Sequence, residues 1–176
     1  MQSISRILLF LSCVCCFSSF SQELSSEEQI LYDLIIEYRS DKGLAVIPFS
    51  KSLTKVAQLH SRDLAVNRPD QGDCNAHSWS NKGEWTSCCY TSDHAKASCM
   101  WDKPKELSSY DHPGYEISCV GSSPMSAVNA LKTWKSSKSH NDVIVNLDIW
   151  DQDWLAIGVG MHQGYATVWF GHFQED

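Results

Sequence analysis

The chain has 176 residues, a formal net charge of −7 and no basic run, which argues against nucleic acid and against electrostatic docking on an anionic membrane. Its length suits one domain with a real core. Seven Trp and six Tyr suit a packed domain rather than a disordered one.

Residues 1–21 read as a secretory signal: Arg6 supplies the charge, Ile7 to Phe17 the apolar stretch, and Ser19-Phe20-Ser21 a small-x-small cleavage site before Gln22. The run is short for a membrane span, and it lacks the polar face of a buried amphipathic helix. A lipid anchor on Cys13, Cys15 or Cys16 is the weaker reading, because the residues before those cysteines fit a lipidation box poorly. The mature chain, 22–176, is then expected to be secreted or periplasmic, with no transmembrane span.

Ser25-Ser26-Glu27-Glu28 starts a helix, with hydroxyl caps and acids in its first turn. Ile30, Leu31, Leu34, Ile35 and Tyr38 follow at helical spacing, and Gly43 ends the run. A second helix is capped by Ser50 or Ser52 and carries the stripe Leu53, Val56, Ala57, His60 and Leu64. Residues 67–114 are rich in Asn, Asp, Gly, Ser, Pro and Cys and hold Trp79, Trp85, Tyr90, Trp101 and Tyr110. They read as a long loop region with one short helix, and loops of this length usually carry function. Tyr115–Val120 alternates like a strand. Ser123-Pro124 reads as a cap followed by proline at the first helical position, opening a helix through Trp134 to about Ser137. Three strand-like runs close the chain: Val143–Ile149, Leu155–Met161 and Tyr165–Phe170. Gly158 and Gly160 suggest close backbone approach or a bulge, and Gly164 a hairpin. Helices around antiparallel strands give an α+β layering.

Beyond the signal, Cys74, Cys88, Cys89, Cys99 and Cys119 remain. Export implies disulfides, and an odd number leaves one thiol free or paired with another chain. Connectivity stays open, with one of Cys88 and Cys89 joined to Cys99 as the favoured short staple. A zinc site at Cys89, His94 and Cys99 is the weaker alternative, since zinc-ribbon spacing is absent.

The order of short motifs resembles the CAP superfamily: cysteine-rich secretory proteins, venom allergens and plant pathogenesis-related proteins. The resemblance rests on Arg39-Ser-Asp-Lys-Gly43-Leu44, on Leu53 to His60, on His77 and Glu84 seven apart, and on Tyr115-Glu116-Ile117 where the family carries Gly-Glu-Asn. It continues through Trp134 with Ser139-His140-Asn141, and through Trp154–Met161 and Tyr165–Gly171. Two departures stand out. The Gly-Glu-Asn triplet keeps only its acid, and Ile36 replaces the asparagine of the family's first helix. The resemblance implies an α-β-α sandwich with a small central antiparallel sheet and long loops, over residues 22–176. It also implies a shared pocket of His77, Glu84, Glu116 and His140.

Two neutral imidazoles, His77 and His140, suit zinc at about 2.0–2.1 Å, and binding should weaken below about pH 6 as they protonate. Without a metal, they are polar histidines bonded to acids. On His60 the bland reading, a satisfied core histidine, competes with a third pocket role. Trp79, Trp85 and Trp101 are core anchors or the lining of an apolar groove. His112, His162 and His172 receive no role. No nucleophile elbow, P-loop or H-E-x-x-H motif is present. The sequence therefore points to a binding or interaction module for a divalent metal, a lipid-like ligand or an extracellular protein. The alternatives are a zinc- or His/Glu-dependent hydrolase using Glu84 and Glu116, and a toxin-like scaffold acting by its surface.

Overall fold

A computed structural model describes residues 23–175; residues 1–21, read above as a signal, with Cys13, Cys15 and Cys16, lie outside the described residues. The helices are α1 (Ser26–Ser40), α2 (Lys51–Asn67), α3 (Ala97–Trp101), α4 (Lys103–Leu107), α5 (Ala127–Ser136) and α6 (Lys138–Ile144). The strands are β1 (Tyr115–Val120), β2 (Ala156–His162) and β3 (Tyr165–Gly171). β3 lies between β1 and β2 and is antiparallel to both, with Tyr115 opposite Phe170 and Ala156 opposite Gly171.

The sheet is covered on both faces, and the period-two alternation of its strands divides the core. Ile117, Ile157, Val159, Val168 and Phe170 pack with Leu31 and Ile35 of α1 and Trp134 of α5. Trp169 and Ala156 face the other way, toward Leu53, Val56 and Ala57 of α2 with Trp79 and Tyr110. This is an α-β-α sandwich with a small antiparallel sheet. β2 can lie directly on α2 because it carries glycine there. A Cβ on Gly158 would overlap the backbone of Leu53 and Thr54, and one on Gly160 the backbone of Ala57.

Local chemistry explains most boundaries. Ser25 and Glu28 form a reciprocal capping box, the Ser25 N–H donating to Glu28 Oε2 at 2.8 Å. The buried Glu28 carboxylate also accepts from the Met161 N–H at 2.9 Å and from Gln58 at 3.0 Å, tying α1 to β2 and α2. Gly43, at φ 74°, closes α1 while the Leu44 N–H donates back to the Arg39 carbonyl at 3.1 Å. Gln163 and Gly164 form the two-residue turn between β2 and β3.

Three sequence expectations are corrected. Val143–Ile149 is not a strand: it continues α6 to Ile144 and then forms a 3-10 turn at Asp148–Trp150. Buried Arg39, distant in sequence, donates to the Ile144 carbonyl at 2.6 Å and to Asn146 Oδ1 at 2.7 Å. Asn146 and Asp148 take left-handed φ of 51° and 60°, which a strand does not accept. Pro124 does not open α5. The Ser123–Pro124 peptide is cis, and the cap is Ser126, whose hydroxyl accepts from the Asn129 N–H at 3.3 Å. Finally, the long loop region holds two short helices, α3 and α4, rather than one.

Candidate functional site

Five of the described residues are cysteines, and four are bonded: Cys74 to Cys89 and Cys88 to Cys99. The odd thiol, Cys119, is buried in β1. Burial pushes that thiol up to about 12, so it stays protonated and unreactive at neutral pH.

Disulfides and one β-bridge shape the 74–99 segment. Trp79 and Cys88 exchange backbone hydrogen bonds at 2.9 and 3.0 Å, so residues 80–87 loop outward between them. Trp79 is buried and Trp85 packs edge-on against it at 5.1 Å. The Lys103 ammonium, also buried, lies 5.3 Å from the Trp79 ring centre and donates to the Thr86 carbonyl at 2.6 Å. Trp79 is thus a core anchor. Trp101 is different: it is 42 % exposed and lines a cleft.

That cleft has a volume of about 820 Å³, within the usual range for a small-molecule site. His77, Tyr90 and His94 come to it from the disulfide-bonded segment, and Met100 and Trp101 from α3. Glu116 and Ile117 come from β1, His140 and Val143 from α6, and Ile149 and Trp150 from the 3-10 turn. Imidazoles, the carboxylates of Glu116, Asp142 and Asp148 and the Lys138 ammonium therefore share the cavity with an apolar lining of Trp101, Val143, Ile149 and Trp150.

Three of the four sequence-selected residues, His77, Glu116 and His140, line this one cleft. Glu84 does not. It is exposed in the outward loop made by the Trp79–Cys88 bridge, and its spacing of seven from His77 leads away from the cleft. The second group on Glu116 is instead His60, which comes from the inner stripe of α2 and is fully buried. One oxygen of Glu116 meets His60 Nδ1, and the other accepts from His77 Nδ1 at 2.7 Å. His60 Nε2 donates to the Ser78 carbonyl at 2.9 Å, and the ring stacks on Trp79 at 4.1 Å with 7° between planes. His60 is a satisfied core histidine, yet it touches the same acid as the cleft does. The sequence signal for this was its place on the stripe facing the sheet.

Burial alone would raise the Glu116 carboxyl. The charges and hydrogen bonds of His60 and His77 outweigh it and hold the group below the ordinary carboxylate range. Burial pushes the His140 imidazole down, the nearby His77 pushes it further, and Glu116 opposes both. His140 is therefore neutral at neutral pH. Its Nδ1 lies 2.8 Å from the Ser137 hydroxyl. The Tyr90 ring packs on His77 at 5.2 Å and its hydroxyl meets His94 Nδ1 at 3.0 Å. Residue types alone gave no cue to Tyr90.

The donor set can be tested against a metal. His77 and His140 each have Nδ1 engaged by a neighbour, the arrangement that leaves Nε2 as the coordinating atom in metal-binding histidines. Among the described residues no group of three or more His, Cys, Asp or Glu is arranged around one metal position. A metal here would rest on two imidazoles and take its other ligands from water or from a bound molecule.

Comparison with known proteins places this arrangement on a known fold. An outer surface protein of Borrelia burgdorferi superposes with a TM-score of 0.57 at 19% identity, over 88% of this chain and 96% of that one. An extracellular protein containing an SCP domain from Bacillus anthracis superposes with a TM-score of 0.57 at 19% identity, over 85% of this chain and 40% of that chain. The chain has the fold of the SCP domain. No family model matches the sequence, and no curated protein matches it. Among the described residues no helix is long and apolar enough to cross a membrane.

Proposed function

We propose that this chain is a secreted binding module whose cleft takes a divalent transition metal, zinc foremost, on Nε2 of His77 and His140. The apolar lining of Trp101, Val143, Ile149 and Trp150 receives the body of a ligand whose polar end meets the metal. A zinc ion there would supply a Lewis-acidic contact for an anionic or carbonyl group. Glu116 orients His77, and Ser137 holds His140.

One observation carries this reading. Two imidazoles with Nδ1 already engaged line the same cavity, close enough for one charge to depress the other. Binding is favoured over hydrolysis because Glu116 is engaged by two imidazoles, one oxygen to His60 and the other to His77, which suits a group that holds rings in place. Glu84 is no substitute, being outside the cavity lining.

The test is zinc competition against a chromophoric chelator at pH 7.5. Wild type should take up one equivalent, and His77→Ala with His140→Ala should take up none. Equal uptake by the two proteins would refute the site. A peptide and ester panel on the same pair addresses hydrolysis: turnover that the double variant abolishes would overturn the binding-only reading. Full biological activity in a double variant that no longer takes zinc would favour the surface-acting scaffold.

A further inference from the structure

Residues 80–87 leave the body of the molecule between Trp79 and Cys88, which are bonded to each other. Among the described residues, no backbone–backbone hydrogen bond reaches any of them. Side chains hold the two ends instead. The buried Asp63 carboxylate accepts from the Ser80 N–H at 2.8 Å and from the Ser80 hydroxyl at 2.5 Å. At the other end Glu106 accepts from the Thr86 N–H, and buried Lys103 donates to the Thr86 carbonyl at 2.6 Å. Between these clamps Asn81, Lys82, Gly83 and Glu84 are all exposed. The tip rests on a single indole. Trp85 Nε1 donates to the Ser80 carbonyl at 2.8 Å, and Gly83 lies so close to the Trp85 ring that a Cβ there would overlap it.

We infer that the Lys82–Gly83 bond is a processing site for a trypsin-class endoprotease, and that the product is a two-chain protein. Such an enzyme takes a lysine into its acidic specificity pocket, and the bond enters only as opened chain, so the cost of local opening selects the site. Opening 81–84 lifts a glycine off a ring and breaks one indole hydrogen bond, while the clamps, the bridge and the disulfides stay. Other exposed lysines outside helix interiors sit in bonded backbone. The Lys42 and Gly43 N–H groups donate to the Arg39 and Ser40 carbonyls, both at 2.9 Å. The Lys96 carbonyl accepts from Cys99 at 2.9 Å, and the Ala97 N–H donates to His94 at 3.1 Å. Hydrolysis adds one water across the amide, leaving a carboxylate on Lys82 and an ammonium on Gly83. The cut parts α1, α2 and His77 from the whole sheet, Glu116 and His140. Cys74–Cys89 spans it, whereas Cys88–Cys99 lies wholly beyond it. Among the described residues, one disulfide then becomes the covalent tie between the two sides of the cleft. The packing of α1 and α2 on opposite faces of the sheet keeps the pieces in register. None of this draws on the metal reading.

The test is limited digestion of the oxidised protein with trypsin, read by intact mass and by amino-terminal sequencing. The first cut within residues 23–175 should fall after Lys82. The nicked protein should run as one species without reductant and as two with it, and should keep its near-ultraviolet dichroism spectrum. Lys82→Gln changes only an exposed side chain. It should slow this first cleavage at least about tenfold, because the remaining sites open only by breaking backbone hydrogen bonds. A wild type that resists, a first cut at another bond in that range, or equal digestion of Lys82→Gln would overturn the processing site. Fragments that part before reduction, or a nicked product that loses the dichroism spectrum, would overturn the two-chain product.

Discussion

Glu116→Gln keeps the size of the side chain and removes its charge. It strikes a carboxylate that is fully buried and bonded to two imidazoles. Removing one partner of a buried ion pair costs about 3–5 kcal/mol, and glutamine retains one acceptor, so the lower end, about 3 kcal/mol, is expected. For a domain of this size each kcal/mol shifts the melting temperature by about 2–4 °C, which gives a fall of about 6–12 °C. The pH dependence supplies a second reading. The Glu116 carboxyl lies below its unfolded value, so its stabilisation is complete above the unfolded carboxyl range. It is lost as the pH falls through the folded value. Scanning calorimetry of both proteins should therefore show the full gap at pH 7 and a narrowing gap on acidification below about pH 4. A gap under about 2 °C at pH 7, or one that stays constant into acid, would refute the account of Glu116 as an ionised, His60-paired group.

Gly160→Ala should destabilise by about 3 kcal/mol, because the new methyl meets the backbone of Ala57 and not a side chain that can move. Urea unfolding measures this, and a change under about 0.5 kcal/mol would show that α2 can back away from β2. Cys119 should resist iodoacetamide at pH 8 in the folded chain starting at residue 22 and react fully in urea, since its thiol is buried and pushed up to about 12. Rapid native labelling would mean that β1 opens.

Where a rule acts over a few residues, the sequence was readable. The Ser25–Glu28 box, Gly43 after α1 and the turn at Gly164 each follow from adjacent chemistry. Gly158 and Gly160 announced that something lies close, though not that it is α2. The Val143–Val145 run misled because β-branched residues suit a strand locally. Arg39 decides it as a helix end from 105 residues away. Residues His77, Glu116 and His140 were found through the order of motifs, which encodes the fold; the cleft then gathers them. Glu84 was misplaced because spacing cannot reveal the Trp79–Cys88 bridge that throws its loop outward. His60 was seen only as an apolar-stripe residue, since its acid lies 56 positions further on. Cys88–Cys99 is one of the two short staples that spacing favours, whereas nothing local in the sequence marks Cys74 as the partner of Cys89.

Among the described residues both covalent cross-links sit within 74–99, the segment that brings His77, Tyr90 and His94 to the cavity, and one of them reaches into α3. The contributions of α6 and the 3-10 turn, with His140, Ile149 and Trp150, are held without a covalent cross-link, by packing, hydrogen bonds and the Lys138 pairs with Asp142 and Asp148. The cavity thus has an anvil and a latch. One imidazole is delivered by a cross-braced frame, and its counterpart by a short helix pinned at its end by the Arg39 guanidinium. Guests of different girth would find their compliance on the latch side, where α6 meets the rest of the fold through single hydrogen bonds from Tyr38, Arg39 and Trp154, and not in the braced frame.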